Sequence, residues 1–195
     1  MGRPKALLAL DGVTMVQRQL RLLRNVAGKV LVAGWPEDLS TAHLPDPLRK
    51  VPFWPDERVG QGPLGGIYSA LKRSRTEYNI FVSCDMPFIR AEFLEYICRA
   101  ALHTRADVTV PKSRNRRLNP VCAVYRRRAL RAIRASLEAR EYKISQFFSR
   151  VCCQIIPWRE IAHAGFSSAI FDNINTPEDY ERAKKHQSQE IVNAQ

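Results

Sequence analysis

Short apolar runs alternate along the chain with longer stretches in which apolar residues recur every third or fourth position. The first pattern predicts buried strands and the second amphipathic helices. Strands are expected at residues 29–33, 80–83, 107–111, 119–125, 152–156 and 170–174, with a weaker one at 51–53. A helix is expected from the Thr14 cap to about Asn25, with Val16, Leu20 and Leu23 on one face, and Gly28 ends it. Further helices are expected at 64–73, 91–103, from the late 120s to about 140, and near 145–150. A last helix opens at Thr176-Pro177-Glu178-Asp179, where Thr caps, Pro fits the first turn and the acids complement the dipole. Residues 34–48 read as loop or irregular helix. Strands alternating with helices predict an α/β fold: a Rossmann-like, doubly wound, mostly parallel sheet with helices on both faces. One domain is expected over residues 1–186, followed by a polar, frayed tail at 187–195. The strand after the basic loop at 112–118 is expected to form a hairpin or small subdomain with it.

With 195 residues, 45% of them hydrophobic, the chain can bury an ordinary core, which excludes global disorder. No apolar run approaches the roughly 20 residues of a membrane span, and the N-terminus lacks a signal-peptide layout. A soluble, cytoplasmic protein is the expectation. The net charge of +12 comes mainly from arginine, clustered at 114–117 and 126–128. Such a surface attracts anions, either nucleic acid or phosphorylated small molecules. Nucleic acid is disfavoured, because no reader motif or aromatic-basic platform is present. The five cysteines form no C-x-x-C pair, so they read as free thiols rather than as a zinc site.

Chemistry first shows at Asp85. The apolar run 80–83 stops on this acid, and Pro87 prevents the strand from continuing. Ligands of open α/β sheets sit at the carboxyl ends of strands, where a carboxylate can hold a divalent metal. A second feature is Gly60-Gln61-Gly62-Pro63-Leu64-Gly65-Gly66, four glycines in seven residues just before a predicted helix. Glycines at a helix start let a ligand approach closely, although neither a Walker loop nor a dinucleotide fingerprint is present. Taken alone, the run fits a tight turn equally well. Lys5 near the N-terminus and Asp56 on a loop ahead of the glycines complete the candidates.

The order and spacing of these pieces resemble the molybdenum cofactor guanylyltransferase family. The resemblance is carried by Met1-Gly2-Arg3-Pro4-Lys5-Ala6-Leu7-Leu8, by Asp56 with Gly62-Pro63-Leu64-Gly65-Gly66-Ile67, by Cys84-Asp85-Met86-Pro87-Phe88, and by Asn173-Ile174-Asn175-Thr176-Pro177-Glu178-Asp179. It implies a fold of the nucleotide-diphospho-sugar transferase type. It also implies Mg²⁺-dependent transfer of GMP from GTP to molybdopterin, with release of pyrophosphate. By resemblance, Asp85 would bind Mg²⁺ and GTP, and Lys5 would steady the triphosphate. Asp56 would accept hydrogen bonds from the guanosine, and Gly62, Pro63, Leu64, Gly65 and Gly66 would line its pocket. Arg114, Arg116, Arg117, Asn119 and Pro120 would meet molybdopterin, with Asn173 and Asn175 lining the cleft. The implied partners are the substrates and the molybdoenzymes or insertion proteins that receive the cofactor. A cytidylyl- or sugar-phosphate nucleotidyltransferase, or a non-catalytic adaptor, are the competing readings.

The sequence departs from the family at its start. Family members open with a strand and a Leu-Ala-Gly-Gly-x-Ser-x-Arg-Met-Gly loop, of which only Met1-Gly2 stands here. The first strand of the family sheet is therefore expected to be missing, leaving a gap or two open strand edges. The backbone cradle of that loop is also expected to be missing, with poor GTP binding as the consequence.

Overall fold

Asp11 and Gly12 both adopt positive φ (50° and 73°), which turns the chain tightly between β1 (Ala9–Leu10) and β2 (Val13–Thr14). This geometry at both central positions is what Asp-Gly favours in two-residue hairpins. The computed structural model describes residues 4–35, 48–58 and 60–193, so Met1, Gly2 and Arg3 and most of the expected irregular stretch fall outside it. Thr14 then caps α1 (Met15–Val26) reciprocally. Its Oγ accepts from Gln17 N–H at 3.4 Å, and Gln17 Oε1 accepts from Thr14 N–H at 3.1 Å.

The chain continues through β3 (Val32–Ala33) and β4 (Phe53–Trp54), a short parallel pair. Next come α2 (Gly62–Arg73), β5 (Tyr78–Val82), α3 (Ala91–Thr104), β6 (Val108–Pro111) and β7 (Cys122–Arg126). They are followed by α4 (Ala129–Glu138), α5 (Ile144–Phe148), β8 (Cys153–Ile156), α6 (Trp158–His163) and α7 (Pro177–Asn193). The main sheet has the order β5-β7-β6-β8. β7 runs antiparallel to both β5 and β6, and β8 runs parallel to β6. Three of the four strands therefore share a direction, and the basic loop links β6 to the reversed strand, as the hairpin reading expected.

Both faces of the sheet are covered, and β7 shows how. Ala123 and Tyr125 enter a core with Leu64 and Leu71 of α2 and Ile133 of α4. Cys122 and Val124 enter a second core with Phe93 and Ile97 of α3, Ile161 of α6 and, from α1, Leu23. Alternation with period two puts successive side chains into different layers. No helix of the described residues is long and apolar enough to cross a membrane.

Three local expectations change. Residues 170–174 are not a strand: Ser168–Phe171 forms a 3-10 turn in which Ile170 and Phe171 are buried, and the Ala169 amide donates to the Ser167 hydroxyl. Burial of two adjacent apolar residues mimics a strand pattern but is satisfied by a turn. The helix predicted from 64 begins at Gly62, because Pro63 occupies the first turn where its missing N–H is harmless. The tail expected to fray continues as helix to Asn193.

Replacing Thr14 by Ala removes one half of the capping box and should cost about 1 kcal/mol. Thermal melting should then fall by roughly 2–4 °C, with Thr14→Ser close to the parent.

Candidate functional site

β5 delivers Asp85 to the carboxyl end of the sheet, and four contacts hold the segment there. The Ser83 amide donates to the Val121 carbonyl at 2.7 Å, extending the β5–β7 ladder. The Ser83 hydroxyl donates to Asp85 Oδ1 at 2.6 Å. The Ile174 amide donates to the Asp85 carbonyl at 2.8 Å. Gln19 of α1, only 3% exposed, donates from Nε2 to the Met86 carbonyl at 2.6 Å. Sequence reading missed Ser83, Gln19 and Ile174 as supports. Ser83, two residues from the acid, was the legible one.

The Ile174 contact brings the 173–176 turn alongside. Both Asn175 and Thr176 donate backbone N–H bonds of 2.9 Å to Asp179 Oδ2, and Asp179 N–H donates to Thr176 Oγ1 at 3.1 Å. These bonds to the charged form hold the Asp179 carboxyl below its ordinary range. The turn is thereby fixed, and Asn175 Oδ1 accepts from Lys5 Nζ at 2.8 Å across 170 positions of sequence. Lys5, Asn175, Ile174, Asp85 and Ser83 thus form one connected chain of contacts. Asn173 is exposed on the same turn.

Asp56 forms a second wall. Its carboxylate lies between Gly34 and Gly66: a Cβ on Gly34 would come within 3.3 Å of Oδ2, and one on Gly66 within 3.4 Å of Oδ1. Gly34 also has φ of +74°, which side chains rarely adopt. Asp56 Oδ1 is buried with no hydrogen-bond partner, and burial raises the carboxyl above its ordinary value. Asp56, Gly34, Gly62, Pro63, Gly66 and Ser83 border one cavity of about 620 Å³. Gly65 serves a different purpose, since a Cβ there would sit 2.9 Å from the Arg58 carbonyl. Leu64 is fully buried in the core. Of the five-residue run, Gly62, Pro63 and Gly66 therefore face the cavity, whereas Leu64 and Gly65 serve packing.

Arg114, Arg116 and Arg117 are exposed on the β6–β7 loop, and among the described residues none pairs with an acid. The loop is closed by Ser113 N–H to the Arg117 carbonyl at 2.9 Å and by the Lys112–Leu118 bridge. Asn119 spends its side-chain amide on the Pro111 and Arg117 carbonyls at 3.4 Å each, and Pro120 accepts from Tyr125 Oη at 2.8 Å. Both are thus shaping residues of the loop. The loop re-enters the sheet at Val121, beside Ser83.

Among the described residues no three acidic, His or Cys side chains gather as a metal-binding group. Asp85 with its Ser83 support offers one hard oxygen ligand, which fits Mg²⁺ that arrives with phosphate and water oxygens around it. Burial, with Asp85 adjacent, pushes the Cys84 thiol up to about 11, so it is protonated and no nucleophile at neutral pH.

A doubly covered α/β sheet carrying a carboxylate at a strand end, a lysine across from it and a glycine-cradled acid defines a nucleotidyltransferase. Residues 1–152 match the MobA-like NTP transferase domain, and the chain belongs to that family. A probable molybdenum cofactor guanylyltransferase of Pelotomaculum thermopropionicum is 33% identical over 184 residues, 94% of this chain and 85% of that protein. One from Carboxydothermus hydrogenoformans is 28% identical over 95% of this chain and 89% of its own length. The crystal structure of molybdopterin-guanine dinucleotide biosynthesis protein A from Archaeoglobus fulgidus superposes with a TM-score of 0.80 at 24% identity, covering 96% of this chain and 92% of that one. The 2-C-methyl-D-erythritol 4-phosphate cytidylyltransferase of Thermus thermophilus shares the fold at a TM-score of 0.67 and 16% identity, covering 95% and 94%.

Because the folded carboxyl of Asp56 binds its proton more tightly than the unfolded one, its charge is a burden that grows as pH rises from the ordinary 3.8 through the raised value. Asp56→Asn should therefore raise the melting temperature at pH 7 relative to the parent. That advantage should vanish in melts below about pH 3.8, where both states are protonated.

Proposed function

We propose that this chain transfers GMP from GTP to the terminal phosphate of molybdopterin. The observation that carries the reading is Asp56, a carboxyl with a buried unpaired oxygen between two glycines. Guanine offers two adjacent donors, N1–H and N2–H₂, on one edge, and a carboxylate can accept both. Cytosine offers a single amino group on the corresponding edge. Glycine on both flanks leaves no Cβ beside the Asp56 carboxyl, so a planar base can approach it closely.

A phosphate oxygen of molybdopterin attacks the α-phosphorus of GTP. A new P–O bond forms, the bond to the β-phosphate bridging oxygen breaks, and pyrophosphate leaves. Mg²⁺, when bound, would neutralise charge on the triphosphate as a Lewis acid. Asp85 would hold it, with Ser83 fixing the carboxylate rotamer. Lys5, tethered by Asn175, would place a point charge on the triphosphate. Gln19 and Ile174 keep the Asp85 backbone from swinging. Such a site works by positioning and charge neutralisation rather than covalent chemistry. The unpaired arginines 114, 116 and 117 suit a phosphate dianion, because a guanidinium binds it in a bidentate manner.

Incubation with Mg²⁺, molybdopterin and either GTP or CTP tests the reading. Pyrophosphate is expected from GTP; release from CTP alone, or from neither, would refute it. Asp85→Asn should lower kcat by about 10²–10³-fold while leaving the melting temperature near that of the parent. Replacing Arg114, Arg116 and Arg117 together by Ala should raise the KM for molybdopterin by roughly tenfold and leave the KM for GTP unchanged.

A further inference from the structure

The segment that carries Lys5 is short. Lys5–Leu7 makes one 3-10 turn, and Leu8 then leads into the β1–β2 hairpin. With Asp11-Gly12 as a two-residue turn, Leu10 and Val13 form the hydrogen-bonded pair, and Ala9 and Thr14 form the pair without bonds. The next pair keeps this alternation, because the Met15 amide donates to the Leu8 carbonyl at 2.8 Å. The Ala9 carbonyl therefore points away from β2, and the ladder offers it no donor. Tyr180 of α7 supplies one: its hydroxyl donates to the Ala9 carbonyl across 171 positions of sequence.

Tyr180 and Asn175 belong to one rigid unit. The Tyr180 amide donates to the Thr176 carbonyl at 3.2 Å, and Asp179 Oδ2 accepts the amides of Asn175 and Thr176. This unit meets the Lys5 segment at two points, with Asn175 on Lys5 Nζ and Tyr180 on the Ala9 carbonyl. A bond at one point leaves a segment free to pivot, and a second bond fixes its direction. The same unit reaches the metal side of the site through the Ile174 amide on the Asp85 carbonyl. Apolar packing joins the three parts, since Leu8, Leu10, Ile174, Phe88 and the Tyr180 ring share one cluster. Lys184 Nζ, 4.5 Å from the ring centroid, steadies the ring from its face.

We infer that Tyr180 is a positioning residue for Lys5: its hydroxyl sets where the lysine stands relative to Asp85. The inference rests on the reading of Lys5 as the point charge on the triphosphate. The ring and the hydroxyl do separable work. The ring fills the cluster, and phenylalanine would fill it as well. Only the hydroxyl ties the hairpin carbonyl to the unit that also holds Asn175 and Ile174. Lys5 and Asp85 thereby take their places from one common element, although neither touches Tyr180.

Tyr180→Phe keeps the ring and removes only the bond. It should lower the melting temperature by no more than roughly 4 °C. Lys5 is then followed without any nucleotide, through its rate of acetylation by acetic anhydride. Mass spectrometry reads that rate against the exposed Lys29 and Lys143. The variant should acetylate Lys5 roughly threefold faster and leave the two reference lysines unchanged. In the pyrophosphate assay it should lower kcat/KM for GTP by roughly fivefold and leave the KM for molybdopterin as it was. In a Lys5→Gln background the same substitution should change kcat/KM for GTP by less than about 1.5-fold, because its effect runs through Lys5. An unchanged rate of Lys5 acetylation would overturn the inference. So would equal losses of kcat/KM in both backgrounds, the mark of a merely structural role. Should the parent release no pyrophosphate, the guanylyl-transfer reading fails, and the acetylation rates alone decide whether Tyr180 holds Lys5.

Discussion

The hydrogen bond from the Ile174 amide to the Asp85 carbonyl joins the two ends of the candidate site. It acts on the backbone, so it fixes where the β5 segment stops without consuming the Asp85 carboxylate. Everything beyond it is positioned in turn: the turn at 173–176 is locked by Asp179, and Asn175 of that turn holds Lys5. A lysine on a long, flexible stem gains a defined location only if its terminal nitrogen has a partner. A carboxylate partner would fix it too, but would cancel the charge that a triphosphate needs. Asn175 anchors it while leaving the charge available.

Legibility in the sequence followed the reach of each interaction. Thr14 with Gln17, and Thr176 with Asp179, are three residues apart, and both helix starts were readable because capping is local. Asp11-Gly12 carried an equally local hairpin signal that the apolar run ahead of it masked. The 3-10 turn over Ser168–Phe171 was hidden because a pair of buried residues has no period by which a strand and a turn differ. Gln19 was invisible for a different reason: a polar residue on an amphipathic helix reads as solvent-facing, and only the fold brings the Met86 carbonyl 67 positions away beneath it. The order of β7 in the sheet likewise rests on contacts distant in sequence.

Asp56 shows how a site is read from a cost. A buried carboxylate oxygen with no partner is unfavourable in the protein alone, and burial raises its pKa for the same reason. The flanking glycines allow neighbouring backbone to close on it without adding a donor side chain. Its hydrogen-bond donors have to come from outside the neighbouring side chains, from water or from a ligand. Sequence placed Asp56 among the candidates through its distance from the glycines. It could not separate Gly66, which flanks the acid, from Gly65, which admits the Arg58 carbonyl.

The weakest support in this arrangement lies under Gly34. β3 has only two residues paired with β4, whereas β5 is backed by five register positions on β7. Gly34 follows β3 directly, and its backbone forms one side of the Asp56 cradle. Any displacement of β3 therefore moves one side of that cradle, while the Asp85 side stays fixed by β7 and Ile174.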